Sequence, residues 1–132
     1  MRRLFRSFDR CGLDYLLING QASILYGAAT FSEDVDVWIR PDPGNARRLL
    51  RALAACGARV HKLTPRPTSR HMRFGHGFHF VLPSPQETVF LDVMAVPPRV
   101  GSFAAAQRRS RLFRTPWGEL PVVSIRDLVL LK

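Results

Sequence analysis

Asp34 and Asp36 stand at alternate positions in the stretch DVDVWI (34–39), among residues that otherwise favour a buried strand. In a strand, side chains at i and i+2 leave the same face, about 6.6 Å apart at roughly 3.3 Å per residue. Two carboxylates on one face of an apolar strand repel each other and lose solvation, so the pair calls for a cation. Reaching inward from that spacing, they can bracket one divalent ion or a pair of ions roughly 3.5–4 Å apart. A third acid, Asp92, lies in the apolar stretch VFLDVMA, where Phe90, Asp92 and Met94 share one face and Leu91, Val93 and Ala95 the other. Neighbouring strands would bring all three acids onto one face. The competing reading is a solvated strand edge, for which alternation alone suffices. Asp92 weighs against it.

The elements around these acids can be read from periodicity and punctuation. Leu4, Phe5, Phe8 and Cys11 recur at helical spacing up to Gly12. DYLLIN (14–19) reads as a short buried strand, after which Gly20 opens GQASILYGA, a short helix stopped near Gly27. A backbone without Cβ at a helix N-terminus suits an approaching phosphate. Beyond the paired-acid strand, PDPGN breaks the chain, with Asp42 as N-cap and Pro43 at the first position of the amphipathic helix NARRLLRALAACG. RVHKL (59–63) reads as a strand, the segment from His71 to Pro83 as two strands around Gly75–Gly77, and TVFLDVMAV (88–96) as another. A short basic helix, SFAAAQRRSR, precedes a hairpin around Trp117–Gly118 and a last helix, SIRDLVLLK, capped by Ser124. This order predicts a mixed α/β sheet with helices on one side. A strand, a glycine turn, a helix, a paired-acid strand and a third acid strand together describe metal-assisted chemistry on a polyphosphate.

Composition sets the outer bounds. The 132 residues fit one domain, and an apolar fraction of 46% supports a packed core. No stretch approaches the roughly 18 apolar residues of a membrane helix, so no membrane partner is expected. The basic start MRRLF is interrupted by Asp9, Arg10 and Asp14 before any leader-like apolar run, which points to the cytoplasm. Cys11 and Cys56 match no zinc or redox spacing and are expected to be reduced thiols. The net charge of +10 points to an anionic partner. Eighteen of the twenty basic residues are arginine, however, and a GC-rich coding composition would write the same bias. The densest cluster is Arg108, Arg109, Arg111 and Arg114, with Phe113 as a stacking surface, and it is the best candidate for a polyanion contact. The arginines between Asn45 and Arg59 read as the wet face of a helix. His71, His76 and His79 cluster near one turn without a known zinc-ligand spacing, and read as surface or substrate-edge residues.

Taken together, the ordered motifs resemble the DNA polymerase beta-type nucleotidyltransferase superfamily, particularly its small bacterial AbiEii-like and minimal nucleotidyltransferase members. The match consists of ING (18–20), thirteen intervening residues, DVDV (34–37) and FLDVM (90–94). The closing LPVVSIRDLVLLK is similar to the segment that leads into a lysine-bearing helix, here with Lys132. Two positions depart from the pattern. Asn19 stands where the first glycine of a pair is usual, and Thr30 stands where many relatives carry an arginine that contacts phosphate. The resemblance implies an α+β fold, a mixed and mostly antiparallel sheet flanked by helices, similar to the polymerase beta palm. It implies a single minimal domain over 1–132, with room for a continuation past Lys132. It further implies that Asp34, Asp36 and Asp92 hold Mg2+ or Mn2+, that Asp92 accepts the hydroxyl proton, and that Gly20, Ser32 and Lys132 bind the NTP.

The expected activity is transfer of an NMP from an NTP to a hydroxyl. Three acceptors compete: an RNA end such as that of tRNA, a protein side chain within a toxin–antitoxin pair, and an aminoglycoside. The last is a polycation that a +10 protein repels. A catalytically inactive nucleotidyltransferase-fold module that binds nucleotide or nucleic acid is the alternative from another class. A zinc-binding interaction module built on the histidines is the third.

Overall fold

The computed structural model describes residues 1–30, 32, 34–61, 77–85 and 87–131. In chain order the elements are α1 (Arg2–Cys11), β1 (Tyr15–Ile18), α2 (Asn19–Leu25), β2 (Asp34–Ile39), α3 (Pro43–Cys56) and β3 (Arg59–Val60). They continue with β4 (Phe78–Leu82), β5 (Val89–Met94), α4 (Phe103–Arg109), β6 (Arg111–Thr115), β7 (Gly118–Val122) and α5 (Ile125–Leu130). The strands form one sheet in the order β3-β4-β5-β2-β1-β7-β6. β2 runs parallel to β5 and β1 parallel to β7, while the other four pairings are antiparallel. The sheet is therefore mixed and mostly antiparallel, as the sequence implies.

Alternation along the strands sorts the two faces. Tyr15, Leu17, Val35, Val37, Ile39, Phe78, Phe80, Leu91 and Val93 are all buried on one face. α1 packs there through Phe5 and Phe8, whose rings lie 6.3 and 4.9 Å from the ring of Tyr15. α3 docks beside α1, with the Ser7 hydroxyl donating to the Ala52 carbonyl at 2.6 Å. Asn45, fully buried at the start of α3, ties this layer to the sheet. Its amide donates to the carbonyls of Asp14 and Arg40, and its oxygen accepts from the Asp14 N–H. Such a buried amide is tolerated because its polar atoms are matched.

Helices are not confined to that layer. Trp38 leaves the sheet on the same face as Asp34 and Asp36, yet it is 1% exposed. Phe103 of α4 covers it edge-on at 5.8 Å, and the indole N–H donates to the Ala95 carbonyl. A large apolar ring beside the acids requires its own cover, so the expectation of helices on one side gives way to helices on both. No helix among the described residues is long and apolar enough to cross a membrane.

The C-terminal end of α4 carries a second interaction that sequence reading assigned differently. Arg109 makes a two-pronged contact with Asp127 of α5, through Nε and Nη2 at 3.0 Å each, and Asp127 is fully buried. This arginine joins two helices and is not available to a polyanion. Removing one partner of a buried pair leaves an uncompensated charge, which costs about 3–5 kcal/mol. Arg109→Ala should destabilise the protein by about 3 kcal/mol, the low end because the guanidinium is partly exposed. Arg108→Ala, one residue away and exposed, should change stability by less than about 0.5 kcal/mol. Urea denaturation of the two variants measures both.

Candidate active site

The parallel register of β2 on β5 pairs Asp36 with Asp92 and Asp34 with Phe90. Paired residues in a ladder leave the same face, so the three predicted acids do share one face of two adjacent strands. All three are half-buried. β4 adds a residue that sequence reading had set at the substrate edge. His79 lies directly opposite Asp92 across the antiparallel β4–β5 ladder, and its Nδ1 is 2.5 Å from Asp92 Oδ1. On the other side Asp36 stands in register with Asp92, and the Asn19 side chain favours the charged form of Asp36. A row of polar side chains thus crosses the sheet, Asn19, Asp36, Asp92 and His79, with His79 and Asp92 hydrogen-bonded. Among the described residues, no three His, Cys, Asp or Glu side chains converge closely enough to cage an ion as they stand.

At the mouth of this face lie the two residues assigned to the phosphates. A Cβ on Gly20 would fall 2.2 Å from Ser32 Oγ and 2.8 Å from its Cβ, so α2 and the chain entering β2 meet only because residue 20 has no side chain. The Ser32 hydroxyl donates to the Asp34 carbonyl, and Gln21 donates to the Ser32 carbonyl. Asn19 has φ +58°, in the left-handed region. Asparagine tolerates that conformation better than most residues, which accounts for its replacing the expected glycine. It also supplies an amide to Asp36, which glycine cannot. Lys132, His71 and His76 lie outside the described residues.

Comparison with solved structures follows the same lines. TM1012, a candidate nucleotidyltransferase from Thermotoga maritima, superposes with a TM-score of 0.57 at 14% identity, covering 96% of this chain and 78% of its own. ANT(2″)-Ia, solved in complex with adenylyl-2″-tobramycin, gives 0.56 at 13% identity, covering 96% and 68%. An antigenic nucleotidyltransferase-like protein from Paracoccidioides brasiliensis gives 0.56 at 14%, covering 96% and 70%. The fold is that of the nucleotidyltransferases. No protein-family model and no curated protein sequence matches the chain.

Within this nucleotidyltransferase fold the three acids form a half-buried shelf. Two partly open pockets, of about 210 and 220 Å3, lie beside α1, and Arg3 and Cys56 line both. The acids are the chemically unusual group. Burial, and then the charges of Asp92 and Asp34, push the Asp36 carboxyl from 3.8 up to about 7, against a smaller opposing effect of the Asn19 amide. No arginine or lysine among the described residues forms an ion pair with any of the three acids. The guanidiniums near the hairpin are committed elsewhere. Arg111 lies over the rings of Tyr26 and Phe113 at 5.9 and 5.3 Å, and Phe113 packs edge-on against Tyr26. Of the four-arginine cluster, Arg108, Arg111 and Arg114 are exposed, Arg111 while resting over the two rings. Cys11 and Cys56 are free thiols.

Two predictions come from this geometry. Gly20→Ala must push Ser32 away and should destabilise by about 1–3 kcal/mol, the usual cost of overpacking. Adding Ser32→Gly should recover most of the loss, as read by thermal melting of the single and double variants. The second concerns pH. Native Asp36 holds its proton up to about pH 7, whereas the unfolded chain releases it near 3.8. Folding therefore takes up a proton between those values, and metal-free stability should fall as pH rises through that window and level off above it. Asp36→Asn should remove this part of the decline, measured as the difference in Tm between the two proteins from pH 4 to 8.

Proposed function

We propose that the chain is a divalent-metal-dependent nucleotidyltransferase that moves an NMP from an NTP to a hydroxyl of RNA. The observation that carries this reading is the register of Asp36 on Asp92 beside Asp34, on one half-buried face of a nucleotidyltransferase fold. The donors are hard carboxylate oxygens, the type that Mg2+ and Mn2+ prefer. Their mutual repulsion without an arginine or lysine partner among the described residues supports a cation there. Asp34, Asp36 and Asp92 would hold it. Once bound, such an ion neutralises phosphate charge and acidifies a hydroxyl.

The chain's own residues account for the rest of the chemistry. Ser32, held against Gly20, and the backbone beginning α2 receive the phosphates. Asp92 takes the acceptor's proton as the hydroxyl oxygen bonds to the α-phosphorus. The bond from that phosphorus to the bridging oxygen breaks, and pyrophosphate leaves. Asn19 favours the charged form of Asp36.

The net charge of +10 supports RNA among the acceptors. ANT(2″)-Ia is seen with an adenylylated tobramycin, but a protein of net charge +10 repels a polycationic acceptor and attracts a polyanionic one. The decisive experiment incubates the protein with Mg2+, each labelled NTP and total RNA, and follows the label. Label should enter RNA, and binding should weaken with salt by a slope of roughly −0.7 per phosphate contact on single strands. Asp34→Ala and Asp36→Ala should each lower transfer more than about a hundredfold, since outer partners of metal sites alone are worth 10–100-fold. Both variants should remain folded by circular dichroism. Label in protein instead of RNA would replace the acceptor, and full turnover in either variant would overturn the site.

A further inference from the structure

Asp92 is the acid of the three whose neighbour on β4 is an imidazole. His79 sits opposite it in register, 2.5 Å from Oδ1 through Nδ1. The two side chains are 31% and 28% exposed, so the pair opens onto the same shelf as Asp36. Elsewhere along β4 the strand is ordinary: Phe78, Phe80 and Leu82 are buried in the core, and Val81 is the other half-buried position. The backbone at His79 is itself anchored, its carbonyl accepting from the His61 N–H at 2.8 Å.

A cross-strand pair at this exposure adds little to stability. An apolar or β-branched residue would serve the ladder as well, so the imidazole needs another explanation. Its effect on Asp92 is geometric. A carboxylate on a strand rotates broadly about its last torsion, which is two-fold and soft. A donor at Oδ1 stops that rotation and leaves the second oxygen for whatever approaches the shelf.

We infer that His79 is a positioning residue for Asp92: its Nδ1–H fixes one carboxylate oxygen so that the other faces the reacting hydroxyl. This rests on the nucleotidyltransferase reading above, in which Asp92 takes the proton. Histidine–carboxylate pairs of this kind orient the inner group, and losing the outer partner commonly costs 10–100-fold.

The test combines kinetics with a measurement that needs no activity. His79→Ala should lower kcat for NMP transfer by about 10–100-fold while leaving the KM for NTP within about twofold, because the phosphates bind at Gly20 and Ser32. His79→Asn, whose amide nitrogen falls near the place of Nδ1, should recover most of kcat. A residue that only supports the fold would instead lower Tm, with no rescue confined to kcat. Separately, 15N NMR of the metal-free protein should show the His79 imidazole protonated at Nδ1, and Asp92→Asn should shift that resonance. A bare Nδ1, or a resonance indifferent to Asp92, overturns the inference. So does an unimpaired His79→Ala in a preparation whose wild type transfers NMP and whose Asp34→Ala does not. Wild-type protein that transfers no nucleotide overturns the parent reading, and this inference with it.

Discussion

Everything at the candidate site depends on the register of β2 against β5. A parallel ladder shifted by one residue would turn Asp34 and Asp36 into the layer beneath α1 and bring Val35, Val37 and Ile39 onto the shelf. The valines and isoleucine prevent this, since all three are fully buried. Each such side chain is worth roughly 1.5–3 kcal/mol when buried. The acids are placed by their apolar neighbours, whose burial fixes where an unfavourable cluster of charge must sit. β1 and β4, antiparallel on either side, lock the same register from both edges.

The cluster is held in a polar string that no single strand could supply. Asn19 comes from the start of α2, Asp36 from β2, Asp92 from β5 and His79 from β4. Cover on this face ends at Trp38, where Phe103 of α4 closes over the indole. Beyond that ring the three acids are half-buried and keep part of their surface in solvent. Burial strong enough to raise Asp36, beside exposure sufficient for binding, is the combination found where function sets the local chemistry.

Much of this was legible from the residues alone. Period-two alternation in DVDVWI and VFLDVMA placed Asp34, Asp36, Trp38 and Asp92 on the correct faces, because a strand leaves no other choice. The caps at Asp42 and Ser124 were equally plain, and each side chain accepts from a backbone N–H three residues on, as that of Ser102 also does. What stayed hidden depends on contacts distant in sequence. His79 was grouped with nearby histidines when its partner is thirteen residues away across a ladder. Its alternation with Phe78 and Phe80 was the available signal, since it placed the ring on the face opposite the core. Arg109 looked like one charge among four until Asp127 appeared beneath it. Asn19 looked like a departure from a glycine motif, yet a positive φ suits both residues, and one torsion explains the exchange. The strand expected over 59–63 appears at Arg59–Val60, and the rest of that stretch lies outside the described residues.

The pairing of β1 with β7 has a kinetic side. Leu17 stands beside Val122, and the Val123 N–H reaches the Leu17 carbonyl, so a central strand finds its second neighbour more than a hundred residues later in the chain. Contacts this distant in sequence slow folding, because loop closure precedes the gain from pairing. On the ribosome, β1 emerges with one side of its ladder unmet until the hairpin of β6 and β7 is complete. Its four residues are all apolar or aromatic and all buried in the finished sheet. During that interval an apolar strand edge is exposed to other chains, and protection from aggregation falls to the speed of translation and to chaperones.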